Sequence, residues 1–215
     1  NDIHTSVVKG YLLPKTVDEN TLVVVTSVSG NTQESLTVLE NAKNSKAKFI
    51  AFSSGGIIKE YALKNKIDYQ EIKMEHSPRA SFVKYIFSML NVLESVIPVK
   101  KPDVLDAISK METMRENIFS NNLNENNMAL ELAKWITRTP VLYYPLGLQS
   151  AAIRFKNSLQ ENSKLHVITE DVIEACHNGI VSWERTSSMQ PILIQGHNDH
   201  FKTIERWKIL KEFFD

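Results

Sequence analysis

The run Leu22–Ser27 (LVVVTS) constrains this fold more than any other feature of the sequence, because it breaks at once into Ser29-Gly30-Asn31-Thr32. β-Branched residues lose rotamer freedom in a helix and pack well on a pleated surface, so the run reads as a buried strand. Residues 34–43 follow, with Leu36, Val38 and Leu39 on one helical side. Lys48–Ser53 (KFIAFS) is a second strand, Gly55-Gly56 the turn after it, residues 57–66 a helix and residues 67–74 a third strand. Strand-helix alternation with short turns predicts a parallel sheet with helices on its faces.

The middle of the chain is helical in pattern. Val83, Ile86, Phe87, Leu90, Leu93 and Ile97 recur at three- and four-residue steps, which predicts an amphipathic helix stopped by Pro98. Residues 104–119 repeat the pattern, with Asp103 as the expected N-cap. The Asn-rich run at 121–127 is the best internal boundary, and residues 128–136 are helix-like. A second alternation starts at Pro140: strand 141–146, a turn at Gly147, helix 148–162, strand 165–169, helix 171–181, strand 190–195 and helix 201–214. The expected class is α/β, with two three-layer αβα halves over residues 1–121 and 122–215.

Composition narrows the function. Lys plus Arg and Asp plus Glu both number 25, and no basic block stands out. Such a chain lacks the charge that nucleic acid or an anionic membrane surface selects, and neither is expected as a partner. Residues 81–99 carry Lys84, Asn91 and Glu94 and do not read as a membrane span. The single cysteine, Cys176, has no internal partner for a disulfide. The chain opens at Asn1 without Met or a signal pattern, so its first residues read as cut and its expected location is the cytoplasm.

Three segments carry residue types suited to chemistry. In residues 27–32 (SVSGNT), a strand passes into a helix, whose free N–H groups and positive dipole end suit an anion. Hydroxyls at Ser27, Ser29 and Thr32 add donors, and Gly30 allows close backbone approach. No Lys or Arg lies in the loop, which fits a phosphate monoester rather than a nucleoside triphosphate; the same residues would also make an ordinary turn and cap. Arg79, in residues 77–80 (SPRA), follows the third strand, at the edge where parallel sheets bind ligands. Glu161 and His177 form the third group, a carboxylate and an imidazole of the kind that shuttles protons near neutral pH. Cys176 is expected to be a buried thiol rather than a nucleophile. His197 and His200 lack a third ligand, so no metal is expected.

SVSGNT at 27–32 is also similar to the FMN-phosphate loop of flavodoxins. The next two strand-end loops, Ser53-Ser54-Gly55-Gly56 and Met74-Glu75-His76-Ser77, hold no aromatic residue to bracket a flavin. Taken with SPRA, with residues 151–164 (AAIRFKNSLQENSK) and with residues 174–178 (EACHN), the loop resembles the bifunctional phosphoglucose/phosphomannose isomerases. Those enzymes are built from two sugar-isomerase (SIS) domains, and the resemblance runs from about Leu13 to about Trp207.

The resemblance implies two SIS-type halves and interconversion of glucose 6-phosphate and mannose 6-phosphate with fructose 6-phosphate, without metal or organic cofactor. It implies that Ser27, Ser29 and Thr32 hold the phosphate and that Glu161 is the base moving a proton between C2 and C1. Arg79 would stabilise the cis-enediolate, and His177 would assist ring opening from the partner subunit of a homodimer. It further implies a first strand and a Gly/Ser-rich loop before Leu22, and a lysine-bearing segment after Asp215, that this sequence does not contain. Where the family usually has an acidic residue after the His-Asn pair, this chain has Gly179. Two other functions remain open on the sequence: a non-catalytic SIS-type protein that binds a sugar phosphate and regulates a partner, and a flavodoxin-like electron carrier.

Overall fold

The computed structural model describes residues 3–214. They form two units, divided after Ser109. In the first, β1 (Leu22–Ser27), α1 (Gln33–Asn41), β2 (Lys48–Ser53), α2 (Gly56–Lys64) and β3 (Asp68–Glu71) build a parallel sheet in the order β1-β2-β3. Register pairs Ser27 with Ser53 and Ser53 with Glu71, so the three strands end level at one edge. One face of the sheet packs Val25 and Ala51 against Val38 and Leu39 of α1 and Ile58 and Ala62 of α2. A second cluster joins Phe52 and Ile72 to Tyr85 and Leu93.

β1 is an edge strand among the described residues, and it alternates rather than being buried throughout. Val25 is 5 % exposed and Val24 38 %. Strand side chains point to opposite faces with period two, so a single covered face is enough to select this run.

Two helices follow. α3 (Phe82–Val92) stops well before Pro98, with Leu93 as its C-cap and a turn at Leu93–Ile97 closed by the Ile97 amide donating to the Leu93 carbonyl at 2.8 Å. The expected apolar stripe is buried only in part: Leu93 is buried together with Tyr85, which lies off the stripe, while Val83 and Ile86 are exposed. Apolar residues cover more than half of the helix circumference, with Lys84, Ser88 and Asn91 on the remaining strip, so their spacing fits more than one line of contact. α4 (Lys101–Ile118) starts earlier than expected, and Asp103 lies inside its first turn instead of capping it. A carboxylate there still complements the positive helix end. The division of the chain falls inside α4, upstream of the Asn-rich run.

The second unit holds α5 (Met128–Trp135), β4 (Thr139–Tyr144), α6 (Gln149–Ser158), β5 (Ile168–Asp171), α7 (Val172–Ala175), β6 (Met189–Leu193) and α8 (Phe201–Phe214). Its parallel sheet has the order β5-β4-β6, with the first strand in the centre. Asn127 caps α5 through its side chain, which accepts from the Leu130 amide at 3.1 Å. β4 is buried along nearly its whole length, and Val141 and Tyr143 pack on Val172, Ala175, Trp207 and Leu210.

Residues 171–181 are not one helix. α7 runs for a single turn capped by Asp171, a turn covers residues 176–178, and a 3-10 helix continues over Gly179–Glu184. α6 passes into a π-helical turn at Leu159–Ser163. Among the described residues, no helix is long and apolar enough to cross a membrane.

Candidate functional site

The hydroxyls of the loop after β1 are not equivalent. Ser27 is buried, and its Oγ accepts from the Gly30 amide at 3.1 Å. The same Oγ lies 2.6 Å from Thr32 Oγ1, so one hydroxyl donates to the other. With Ser27 donating, the Thr32 hydrogen is left to point outward. Ser29 and Thr32 are exposed at the start of α1. Ser29 Oγ accepts from the Asn31 amide at 3.3 Å, which tightens the turn and leaves its own hydrogen to donate. The loop therefore has one internal hydroxyl and two that face solvent beside unsatisfied helix N–H groups.

A second loop holds this one in place. Gly30 has φ 72°, and a Cβ there would stand 1.8 Å from the Gly55 carbonyl oxygen. Gly56 has φ 70°, and a Cβ there would meet Asn31 Oδ1 at 2.7 Å. The two backbones thus touch where side chains have no room. Asn31 Oδ1 accepts from the Ile57 amide at 3.1 Å and the Gly30 carbonyl accepts from Ile58 at 2.9 Å, so the loop after β1 caps α2. Ser54 Oγ donates to the Val28 carbonyl at 2.6 Å, adding a further tie.

Arg79 lies exposed on the turn between β3 and α3. Ser81, fully buried, organises that turn: its Oγ accepts from the Glu75 amide and donates to the Ser77 carbonyl, both at 2.9 Å. Lys84 pairs with Glu75 at 2.6 Å and holds its carboxyl below the usual range. Tyr85 donates to the Ile72 carbonyl at 3.0 Å, and burial pushes its hydroxyl up to about 12. Ser27 ends β1, and Ser29, Thr32 and Arg79 belong to loops that leave the carboxyl edge of the first sheet.

Glu161 and His177 belong to the second unit, and its topology separates them. α6 runs back along the sheet after β4, so the π-helical turn with Glu161 lies toward the amino edge of the strands. Lys164 closes that turn in the left-handed region (φ 58°), and its Nζ donates to the Glu161 carbonyl. π-Helical turns inside helices occur often at functional sites. His177 follows β5 and α7 directly, so it sits by the carboxyl edge, exposed, in a turn whose amide donates to the Glu174 carbonyl at 2.9 Å. Cys176 is half-buried against the core of this unit. Among the described residues, no group of three or more His, Cys, Asp or Glu is placed to hold a metal ion.

Two surface clefts have other linings. One of about 480 Å³ lies by Leu13, Asp18 and Asn44, and one of about 580 Å³ by Arg138, Trp183 and Phe214. None of the six candidate residues lines either.

A family model described as the bacterial phospho-glucose isomerase C-terminal SIS domain matches residues 125–215. Residues 125–215 of this chain are similar to that SIS domain. Over 215 residues it is 31 % identical to the bifunctional phosphoglucose/phosphomannose isomerase of Caldicellulosiruptor bescii, covering 95 % of this chain and 62 % of that one. It is 29 % identical to the enzyme of the same name from Aquifex aeolicus, covering 98 % of this chain and 64 % of the relative. The chain thus spans less than two thirds of the length of these two relatives. Among solved structures, glucosamine-6-phosphate deaminase of Thermotoga maritima matches with a TM-score of 0.64 at 11 % identity, covering 88 % of this chain and 57 % of the deaminase. That likeness is one of fold alone. The family model lies within the second unit, and the first unit has the same kind of architecture, a three-stranded parallel sheet with helices.

Two further residues stand out that local sequence pattern does not mark. Asn31 ties the first two loops together, but its partner is 26 positions away and leaves no local mark. Glu170 fills the space in front of Gly179, where a Cβ would meet its two carboxylate oxygens at 2.7 and 2.8 Å. The missing side chain at 179 is the one signal that could have pointed to it.

Proposed function

We propose that this protein interconverts phosphorylated aldohexoses and ketohexoses, with glucose 6-phosphate, mannose 6-phosphate and fructose 6-phosphate as substrates. The observation that carries the reading is the loop after β1, where Ser29 and Thr32 present hydroxyls at the start of α1 on a backbone fixed by Gly30 and Asn31. Such a site binds a phosphate monoester without needing a cation inside the loop. The 31 % identical relative, a phosphoglucose/phosphomannose isomerase by name, supports the choice of reaction.

In this reading the phosphate handle fixes the sugar so that proton transfer becomes effectively intramolecular. Glu161 removes the proton from C2 of the open-chain aldose and returns it to C1, passing through a cis-enediolate. Arg79 stabilises the negative charge on that intermediate, an electrostatic task suited to a permanent cation. His177 moves a proton to the ring oxygen as the cyclic sugar opens. Glu161 and His177 lie toward opposite edges of one sheet, which supports a homodimer in which each site takes His177 from the other subunit.

The test is a coupled assay of fructose 6-phosphate formation on the protein at its natural length. Glu161→Gln is expected to bind substrate as the parent does while losing turnover by about 10²-fold or more, the scale of a positioned general base. Undiminished turnover in that variant would remove Glu161 from the role. A parent protein that binds hexose phosphates but turns none over would instead favour the regulatory reading.

A further inference from the structure

Glu170 takes no part in the chemistry proposed above, although it is half-buried and lies at the carboxyl end of a strand. Its ladder partner is Tyr143 on β4. Paired residues of neighbouring strands point to the same face, so Glu170 shares the face on which Tyr143 packs against α7, the 3-10 helix and α8. Its carboxylate sits directly under Gly179, 2.7 and 2.8 Å from where a Cβ would stand.

Gly179 begins the 3-10 helix and comes two residues after His177. The turn carrying His177 is therefore seated on a carboxylate, and any side chain at 179 would dislodge one or the other. The other end of the turn is fixed by Asp171, whose carboxylate caps α7 at 2.8 Å from the Ile173 amide. Titratable groups facing Glu170 are Glu174 from α7 and Tyr143 from β4, with Cys176 close to Tyr143. Burial, and then Glu174, hold the Glu170 carboxyl above its usual range.

We propose that Glu170 is a positioning residue for His177: wedged against the turn at Gly179, it sets the direction in which the exposed imidazole points. This rests on the reading of His177 as the group that opens the sugar ring. An exposed imidazole on an unsupported turn samples several rotamers, and a proton donor works only within hydrogen-bond reach of its acceptor.

The experiment compares Glu170→Ala, Glu170→Gln and Gly179→Ala with the parent, at natural length. Two readouts are used: kinetics on cyclic glucose 6-phosphate with inhibition by an open-chain aldonate phosphate, and the ring signals of His177 by NMR. Glu170→Ala, which removes the wedge, is expected to lower kcat by about tenfold, part of the 10²–10⁴ that a placed acid or base contributes, with inhibition by the open-chain analogue unchanged. Its His177 ring signals should move while the indole N–H of buried Trp207 stays in place. Gly179→Ala, which pushes the carboxylate aside without removing it, should reproduce both effects, and Glu170→Gln, which keeps the shape of the wedge, should keep most of the rate.

Unmoved His177 signals in Glu170→Ala would overturn the proposal, as would an equal loss of turnover and inhibitor binding. A parent without isomerase activity would strike the functional reading instead, and the His177 signals alone would then decide the role of Glu170.

Discussion

Asn31 Oδ1 accepts the amide hydrogen of Ile57 at 3.1 Å, so the cap of α2 is supplied by the loop after a different strand. The local candidate, Gly55, has no side chain to offer. Replacing a capping side chain by Ala costs about 1 kcal/mol. Asn31→Ala should therefore lower stability by about 1 kcal/mol in urea unfolding, and Asn31→Asp, which keeps the acceptor oxygen, should lose much less. Equal stability of parent and Asn31→Ala would show that the cap contributes nothing.

Gly30→Ala should be the more damaging change in the same loop. The residue has φ 72°, and the added carbon would lie 1.8 Å from the Gly55 carbonyl oxygen. The backbone conformation alone costs about 1–3 kcal/mol for a residue with a side chain, and the clash must be relieved by moving one loop. Calorimetry with inorganic phosphate should show both a lowered Tm and lost phosphate binding. A variant that binds phosphate normally would mean the loop contact is dispensable.

Ser27 and Thr32 share a hydrogen bond, yet their variants should separate. Ser27→Ala removes a buried acceptor of the Gly30 amide, and its main effect should be a loss of stability of about 1 kcal/mol. Thr32→Val keeps the shape and removes an outward donor. A hydrogen bond to a charged group contributes about 1.5–3 kcal/mol, so phosphate affinity should fall by about tenfold or more, together with a Tm loss like that of Ser27→Ala because the buried Ser27 hydroxyl loses its acceptor. Titration calorimetry and thermal melts on both variants check this, and the reverse pattern would exchange the two roles.

Glu170 gives a pH dependence of definite sign. Burial raises its folded-state pKa above the ordinary 4.5, so the native state keeps this proton to higher pH than the unfolded chain does. Its contribution is present in full below 4.5 and is lost as pH rises through the elevated value. Glu71 and Glu75 act oppositely: Lys59 and Lys84 lower them, and their contribution is lost as pH falls below 4.5. Melts of Glu170→Gln against the parent should show the variant gaining relative stability as pH rises from 4.5 toward neutrality. A difference independent of pH would mean that the carboxyl is not shifted.

Strands β1 and β2 and helix α8 have the bounds that their apolar patterns predict, because each buries residues at the spacing of its own period. α3 and residues 171–181 do not. In α3 the apolar residues cover more than half of the helix, so periodicity does not single out the line through Tyr85 or mark the end at Val92. After Ala175 the chain leaves the α-helix to fit Gly179 over Glu170, and that partner is set by tertiary packing alone. The strand-to-helix turn after β1 was legible from its hydroxyls and glycine. That Ser27 faces inward was not, since a count of hydroxyls carries no direction. Asn31 and Glu170 were missed for the same reason: what each touches is decided across strands, not along the chain.

The cap that Asn31 lends to α2 also bears on how the site comes into being. A β1-α1 hairpin on its own has the hydroxyls of Ser29 and Thr32 but nothing to hold Gly30 in its left-handed conformation, because both the Gly55 carbonyl and the Ile57 amide arrive with β2. The proposed anion site is thus completed by strand pairing rather than before it. A truncated chain ending ahead of β2 should ignore phosphate, and during refolding phosphate should begin to protect the loop only once the two strands have joined.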